Sequence, residues 1–209
     1  MSQFIESIKV EDQQIFLLDQ HQKRINDTFS HFGKTEPIDL NGIFKELQHD
    51  EDGLYKLKIT YDLAGEYRTQ MIPYAISEIK DFQLVENNSY DYSFKFEDRK
   101  ALEKMKTLSK AAEIIIVKNN HITDTSYSNL LFKKGKDWFT PKTYLLNGVR
   151  RQYLLESKKI KEAEITLQNL SDFSHFQIIN AMNDLDDSYS YPLERIKNLP
   201  KKTQENSGL

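Results

Sequence analysis

The chain has 209 residues, 38% of them hydrophobic, enough to bury a core in one large domain or two small ones. Its 29 basic and 32 acidic residues are spread along the chain and leave a net charge of -3, so no polybasic patch points to nucleic acid or to an anionic lipid surface as a partner. The lack of cysteine excludes disulfides, thiolate metal sites and a cysteine nucleophile; with five scattered histidines and no HExxH, no metal is expected.

In chain order, FIESIKVEDQQIFLL alternates apolar and polar residues around EDQQ and predicts a hairpin. DQHQKRINDTFSHFG then offers Asp19 as an N-cap, Ile25, Phe29 and Phe32 at helical spacing, and Gly33 as the stop. LNGIFKELQH predicts a second helix. GLYKLKITYDLAGEYRTQMIPYAI reads as two alternating strands around a turn near Ala64 and Gly65, and ISEIKDFQLVE as a further extended segment. This half is α+β.

ENNSYDYSFKF is polar and aromatic without helical periodicity and places the joint between two halves from Glu86 to Tyr92. EDRKALEKMKTLSKAAE is amphipathic, with Leu102, Met105 and Leu108 spaced by three, and leads into the strand IIIV. A second apolar run, NLLFK, follows the polar stretch DTSYSN, which on its own reads as a turn whose hydroxyls satisfy their own backbone. After a GK turn come a short strand at DWFTP, a turn at Asn147 and Gly148, a helix over Val149 to Glu156 and a strand near Glu164 to Leu167. SDFSHFQIINAM supplies a helical turn and an apolar strand, and Trp138 is assigned to the core. With no long apolar stretch and no signal-like start, the expected location is the cytoplasm, away from membranes.

Taken in order, SFKFEDR, a helix, EIIIVKNNHITDTSYSNLLF, WFTP and LLNGVRRQYL resemble the class IV aminotransferase family of fold-type IV pyridoxal-phosphate enzymes. That family includes branched-chain and D-amino-acid aminotransferases and aminodeoxychorismate lyase. The resemblance runs from HQKR at 21–24 to INAM at 179–182. It implies an α+β fold like that of D-amino-acid aminotransferase. A small N-terminal α/β subdomain would cover 1–88 and a larger, sheet- or barrel-like, cofactor-binding subdomain 89–195, followed by a polar tail over 196–209 expected to be disordered.

The resemblance also implies roles. Lys95 sits where the family has its Schiff-base lysine, and desolvation beside Tyr92, Phe94 and Phe96 disfavours its ammonium form, as a nucleophile and proton carrier requires. Asp124 takes the place of a glutamate that pairs with the pyridine nitrogen of pyridoxal 5'-phosphate; it is one methylene shorter. Thr125, Ser126, Ser128 and Asn129 line the floor under the ring or anchor the loop. Arg24 matches the arginine that contacts the phosphate, and LLNGVRR the phosphate-binding turn, where Gly148 frees the backbone and the amides of Val149 and Arg150 face the anion. Arg150 stands where many members carry threonine. Weaker substrate candidates are Tyr92, which core packing explains equally, and Arg68, for which a solvated strand face is the alternative. His21 is read as a structural partner of its helix.

The short chain leaves little room for the specificity loops of branched-chain enzymes, and its pattern resembles small bacterial members near aminodeoxychorismate lyase. The expected activity is therefore conversion of 4-amino-4-deoxychorismate to 4-aminobenzoate and pyruvate, a step of folate biosynthesis, with Lys95 as acid and base. One alternative is an aminotransferase acting on branched-chain or D-amino acids. Another is a catalytically inactive binding scaffold, favoured by the departures at Asp124 and Arg150 and opposed by Lys95 and Arg24 together. A homodimer acting on a small-molecule amine is expected from the family.

Overall fold

The computed structural model describes residues 2–47 and 52–200. Strand β1 (Phe4–Glu11) buries Phe4, Ile8 and Val10 on one face, and the period of two puts Glu6 on that same apolar face. Its neighbours are antiparallel: the short β2 (Gln14–Ile15), and along its full length β3 (Leu54–Tyr61), whose far edge takes β4 (Tyr67–Pro73). This small sheet, ordered β2-β1-β3-β4, is covered by helix α1 (Leu18–His31), whose Ile25 and Phe29 share a core with Phe4, Leu57 and Ile59. Helix α2 (Leu40–Glu46) closes the same core, with Asp39 capping the amides of Asn41 and Gly42. Gly33 follows α1 at φ 68°, the left-handed stop that glycine adopts without strain.

The larger sheet is built from β5 (Phe82–Glu86), β6 (Glu113–Lys118), β7 (His121–Thr125), β8 (Asn129–Lys134), β9 (Asp137–Pro141) and β10 (Lys161–Ala163), in the spatial order β10-β9-β8-β7-β6-β5. Strand β11 (His175–Ile179) adds to β8, and β12 (Tyr191–Pro192) to β11. Helix α3 (Lys100–Ser109) leads into β6, and α4 (Val149–Glu156) follows the turn after β9. The α+β fold with a small and a large sheet is thus as the resemblance implied.

Several boundaries differ from the sequence reading. Phe82–Glu86 pairs in parallel with β6, and Phe82 and Leu84 join a core with Ile115, Val117 and Phe132. The division between the sheets therefore falls before residue 82, not at 86–92. An alternating segment declares itself a strand, but its partner is chosen by packing. DTSYSN is not one loop, because Asp124 and Thr125 end β7; a tight turn at Asn119 (φ 49°) and Asn120 (φ 68°) folds β7 back on β6. The strand expected near Glu164–Leu167 shrinks to β10 and a single bridge between His121 and Thr166. Ile196 to Asn198, placed in the tail, are tied to β5: Ile196 is buried, Lys197 N donates to Phe82 O (2.9 Å), and the Asn198 amide bonds both backbone groups of Leu84. Residues 201–209 of the expected tail, and 48–49 at the end of the second predicted helix, lie outside the described residues.

Candidate active site

The segment around Phe96, from Lys95 to Glu97, is held against the free edge of β1. Ile5 N donates to Lys95 O (2.9 Å), Glu97 N to Gln3 O (2.8 Å), and Tyr92 OH to Phe96 O (2.7 Å). This pairing sets Lys95 beside the one acidic residue on the apolar face of β1. A carboxylate at Glu6 needs partners, and α1 supplies them at helical spacing: His21 Nδ1 lies 2.5 Å from Glu6 Oε2, and Arg24 reaches both oxygens, through Nε at 2.8 Å and through its terminal nitrogen. Burial alone would raise the Glu6 pKa, but Arg24 and His21 hold it well below the usual carboxylate range. Burial lowers His21 to about 4, so it is neutral, and Arg24 stays charged because Glu6 offsets its own burial.

Lys95 opens on to a cavity between the two sheets. Its pKa falls from 10.5 to about 7, first through burial and then through the positive charges of Arg24, Arg99 and Lys56, with Glu6 opposing. The site therefore favours the neutral amine far more than water does.

Across the cavity, Asp124 is buried near the end of β7. Its Oδ2 accepts from the backbone amides of Leu145 and Leu146 (2.9 Å each), and its Oδ1 from Asn129 Nδ2 (2.8 Å). A carboxylate has about four lone-pair sites, so one acceptor position on Oδ1 stays open. Burial raises the Asp124 pKa to about 6, against the pull of these three donors. Asn129 also donates to Leu146 O (2.8 Å), and its Oδ1 lies where a Cβ on Gly148 would have to sit. Glycine is thus required at the N-cap of α4, and no side chain caps that end. The start of the helix, at Gly148 and Val149, lines the cavity with no side-chain cap, the position in which a helix receives an anion.

Of the residues singled out from the sequence, Arg24, Tyr92, Lys95, Asp124, Thr125, Ser126, Ser128, Asn129, Gly148 and Val149 line this one cavity. The hydroxyls of the polar stretch do two jobs. Thr125 Oγ1 accepts from Ser128 N (2.9 Å) within its own turn, whereas Ser128 Oγ accepts from Asn180 Nδ2 (2.8 Å) at the cavity wall. The side chain of Arg150 turns away to Asp184 (2.7 Å) and leaves only its amide at the helix start, and Arg68 is paired with Glu97 (2.8 Å) outside the cavity. Tyr92 lines the cavity with its hydroxyl given to Phe96 O, and burial pushes its pKa up to about 12. Trp138 packs with Leu131 and Leu154.

Two residues escaped the sequence reading. Glu6 could have been found from its register with Phe4 and Ile8. Arg99, which lines the cavity and donates to Ser126 O, sits in the charged run EDRK and carries no signal of its own.

These groups fit pyridoxal phosphate. Arg24 and the bare start of α4 suit its phosphate, the open position on Asp124 suits a protonated ring nitrogen, and Leu102, Leu145 and Leu146 give the cavity apolar walls. Residues 3–185 match the sequence profile of the class IV amino-transferases. An uncharacterized protein of Haemophilus influenzae is 31% identical over 189 residues, covering 88% of this chain and all of that one. A candidate 4-amino-4-deoxychorismate lyase of Haemophilus somnus 129pt is 33% identical with a TM-score of 0.82, over 88% of this chain and 98% of that one. The pyridoxal-phosphate-bound form of a hypothetical aminotransferase from Mycobacterium tuberculosis shares the fold at a TM-score of 0.73 and 13% identity, over 97% and 84% of the two chains. On this match along most of its length, the chain belongs to the class IV aminotransferases and is a pyridoxal-phosphate-dependent enzyme.

Proposed function

We propose that the enzyme is a lyase that converts 4-amino-4-deoxychorismate to 4-aminobenzoate and pyruvate. The observation that carries this reading is Lys95, an amine with a pKa of about 7 that lines both the inner cavity and the open cleft beside it. A group poised between its two protonation states can act as base and then as acid. The relative from Haemophilus somnus, with its candidate assignment to this reaction, supports the choice.

When bound, pyridoxal phosphate supplies an electron-withdrawing ring that stabilises negative charge on the carbon bearing the substrate amine. Arg24 and the first amides of α4 would hold the phosphate in place. Asp124 would keep the proton on the ring nitrogen. Lys95 takes the proton from the amine-bearing ring carbon. It then gives that proton to the methylene carbon of the enolpyruvyl group as the bond between the neighbouring ring carbon and the ether oxygen breaks. The products are pyruvate and an aromatic ring, with no water consumed and no second acid required.

Cofactor-loaded protein mixed with 4-amino-4-deoxychorismate is expected to release 4-aminobenzoate, followed by fluorescence, and pyruvate in equal amounts. Amino transfer from a branched-chain or D-amino acid to a 2-oxo acid, with no aminobenzoate, would establish the aminotransferase instead. The same reading makes the protein a homodimer, and light scattering is expected to give twice the 24.6 kDa of one chain; a monomer of full activity would refute that part.

A further inference from the structure

Outside the inner cavity, Lys95 also lines a cleft of about 360 Å³ between the two sheets, and its lining includes Lys56, Tyr74, Arg99 and Asn180 but no aspartate or glutamate. Two cations, Lys56 and Arg99, therefore face one cleft beside the Lys95 amine, with no carboxylate on its walls. Elsewhere the cations around the site are matched. Arg24 pairs with Glu6, Lys58 and Arg68 with Glu97, Arg150 with Asp184, and Arg151 with Glu162. Lys58 is two residues beyond Lys56 on the same face of β3, so the contrast between the two is local. Among the described residues, Lys56 and Arg99 have no ion-pair partner: the Lys56 ammonium lies 5.9 Å from the centre of the Tyr74 ring, and Arg99 gives one N–H to Ser126 O and keeps the rest of its fork free. Tyr74 donates its hydroxyl to Asn183 Oδ1 (3.2 Å), which ties this wall to the segment after β11.

We infer that Arg99 and Lys56 form a two-cation frame that selects an amine substrate carrying two carboxylates, Arg99 as a planar fork and Lys56 as a point charge lining the same cleft. The inference rests on an amine reacting at Lys95, whichever class of reaction follows. It also links recognition to chemistry. Both charges disfavour the protonated form of Lys95, so carboxylates bound to them remove that repulsion and favour the step in which Lys95 accepts a proton.

The test uses cofactor-loaded protein and two unreactive probes on one ring, 3-(carboxymethoxy)benzoate with two carboxylates and 3-methoxybenzoate with one, titrated by calorimetry. The native protein is expected to prefer the dicarboxylate by about tenfold or more, the effect of one well-placed charge pair. Lys56→Gln should abolish the preference and leave the monocarboxylate unaffected, Lys56→Arg should restore it, and Arg99→Gln should weaken both probes. An unchanged cofactor absorption spectrum in these variants would show that the site itself is intact. Equal binding of the two probes to the native protein, or a preference that survives Lys56→Gln and Arg99→Gln combined, would overturn the frame. Because neither probe has an amine or an enolpyruvyl group, a protein that makes no aminobenzoate can still pass this test, and the two proposals fail separately.

Discussion

Lys95→Met should stabilise the cofactor-free protein below neutral pH. In the native chain an ammonium is held where burial and three neighbouring cations oppose it, which moves its pKa from 10.5 to about 7. At 1.36 kcal/mol per pKa unit, that difference sets a ceiling of about 5 kcal/mol on the cost of the charge. Lys95 reaches water through the cavity, so screening reduces the figure, and a gain of about 2–3 kcal/mol is expected for the methionine variant. For a chain of this size that is about 5–10 °C in Tm. The sign follows from linkage. Below pH 7 the lysine is protonated in both folded and unfolded chains and the full cost is present. Between pH 7 and 10.5 the folded chain releases the proton that the unfolded chain still binds, so native stability rises and the advantage of methionine fades. Urea denaturation of both cofactor-free proteins at pH 6, 8 and 9.5 measures this. A gain equal at all three pH values would reflect packing alone, and no gain at pH 6 would refute the claim that the site holds its lysine against its charge.

Gly148→Ala puts a Cβ on Asn129 Oδ1, and since Asn129 holds both Asp124 and Leu146, cofactor affinity should fall by about 10–100-fold with a stability loss of about 1–3 kcal/mol; equilibrium dialysis showing native affinity would be the contrary result. Glu6→Gln leaves Arg24 buried without its counter-charge and should destabilise the protein by about 3–5 kcal/mol in urea. Because Glu6 is the charge that favours the protonated lysine, the pH at which the cofactor-free variant begins to capture pyridoxal phosphate should drop below that of the native protein; an unmoved midpoint would separate Glu6 from Lys95.

What could be read from the sequence depended on whether a local pattern settles the matter. Lys95, Asp124, Asn129 and Gly148 each stand in a short motif, and the order of the motifs along the chain brought forward together four residues that line one cavity. Glu6 was also legible in principle, since alternation through FIESIKV fixes the face it must occupy. Arg99 was not. A basic residue in EDRK looks like any solvated helix start, and only the approach of Ser126, 27 residues on, shows where it lies. Arg150 fails in the opposite sense. Its place at the start of α4 is local and was read correctly, whereas its side chain follows Asp184, 34 residues away. The same distinction explains β5, which alternates plainly but joins the larger sheet because Phe82 and Leu84 complete that core.

Asp124 shows how a single residue can join the two ends of the site. It spends one oxygen on the amides of Leu145 and Leu146, and so ties the segment before α4 directly to β7. Asn129 adds a second tie, from Asp124 to the Leu146 carbonyl, and presses on Gly148 at the helix start. The group placed to meet the ring nitrogen thereby also fixes the turn placed to meet the phosphate.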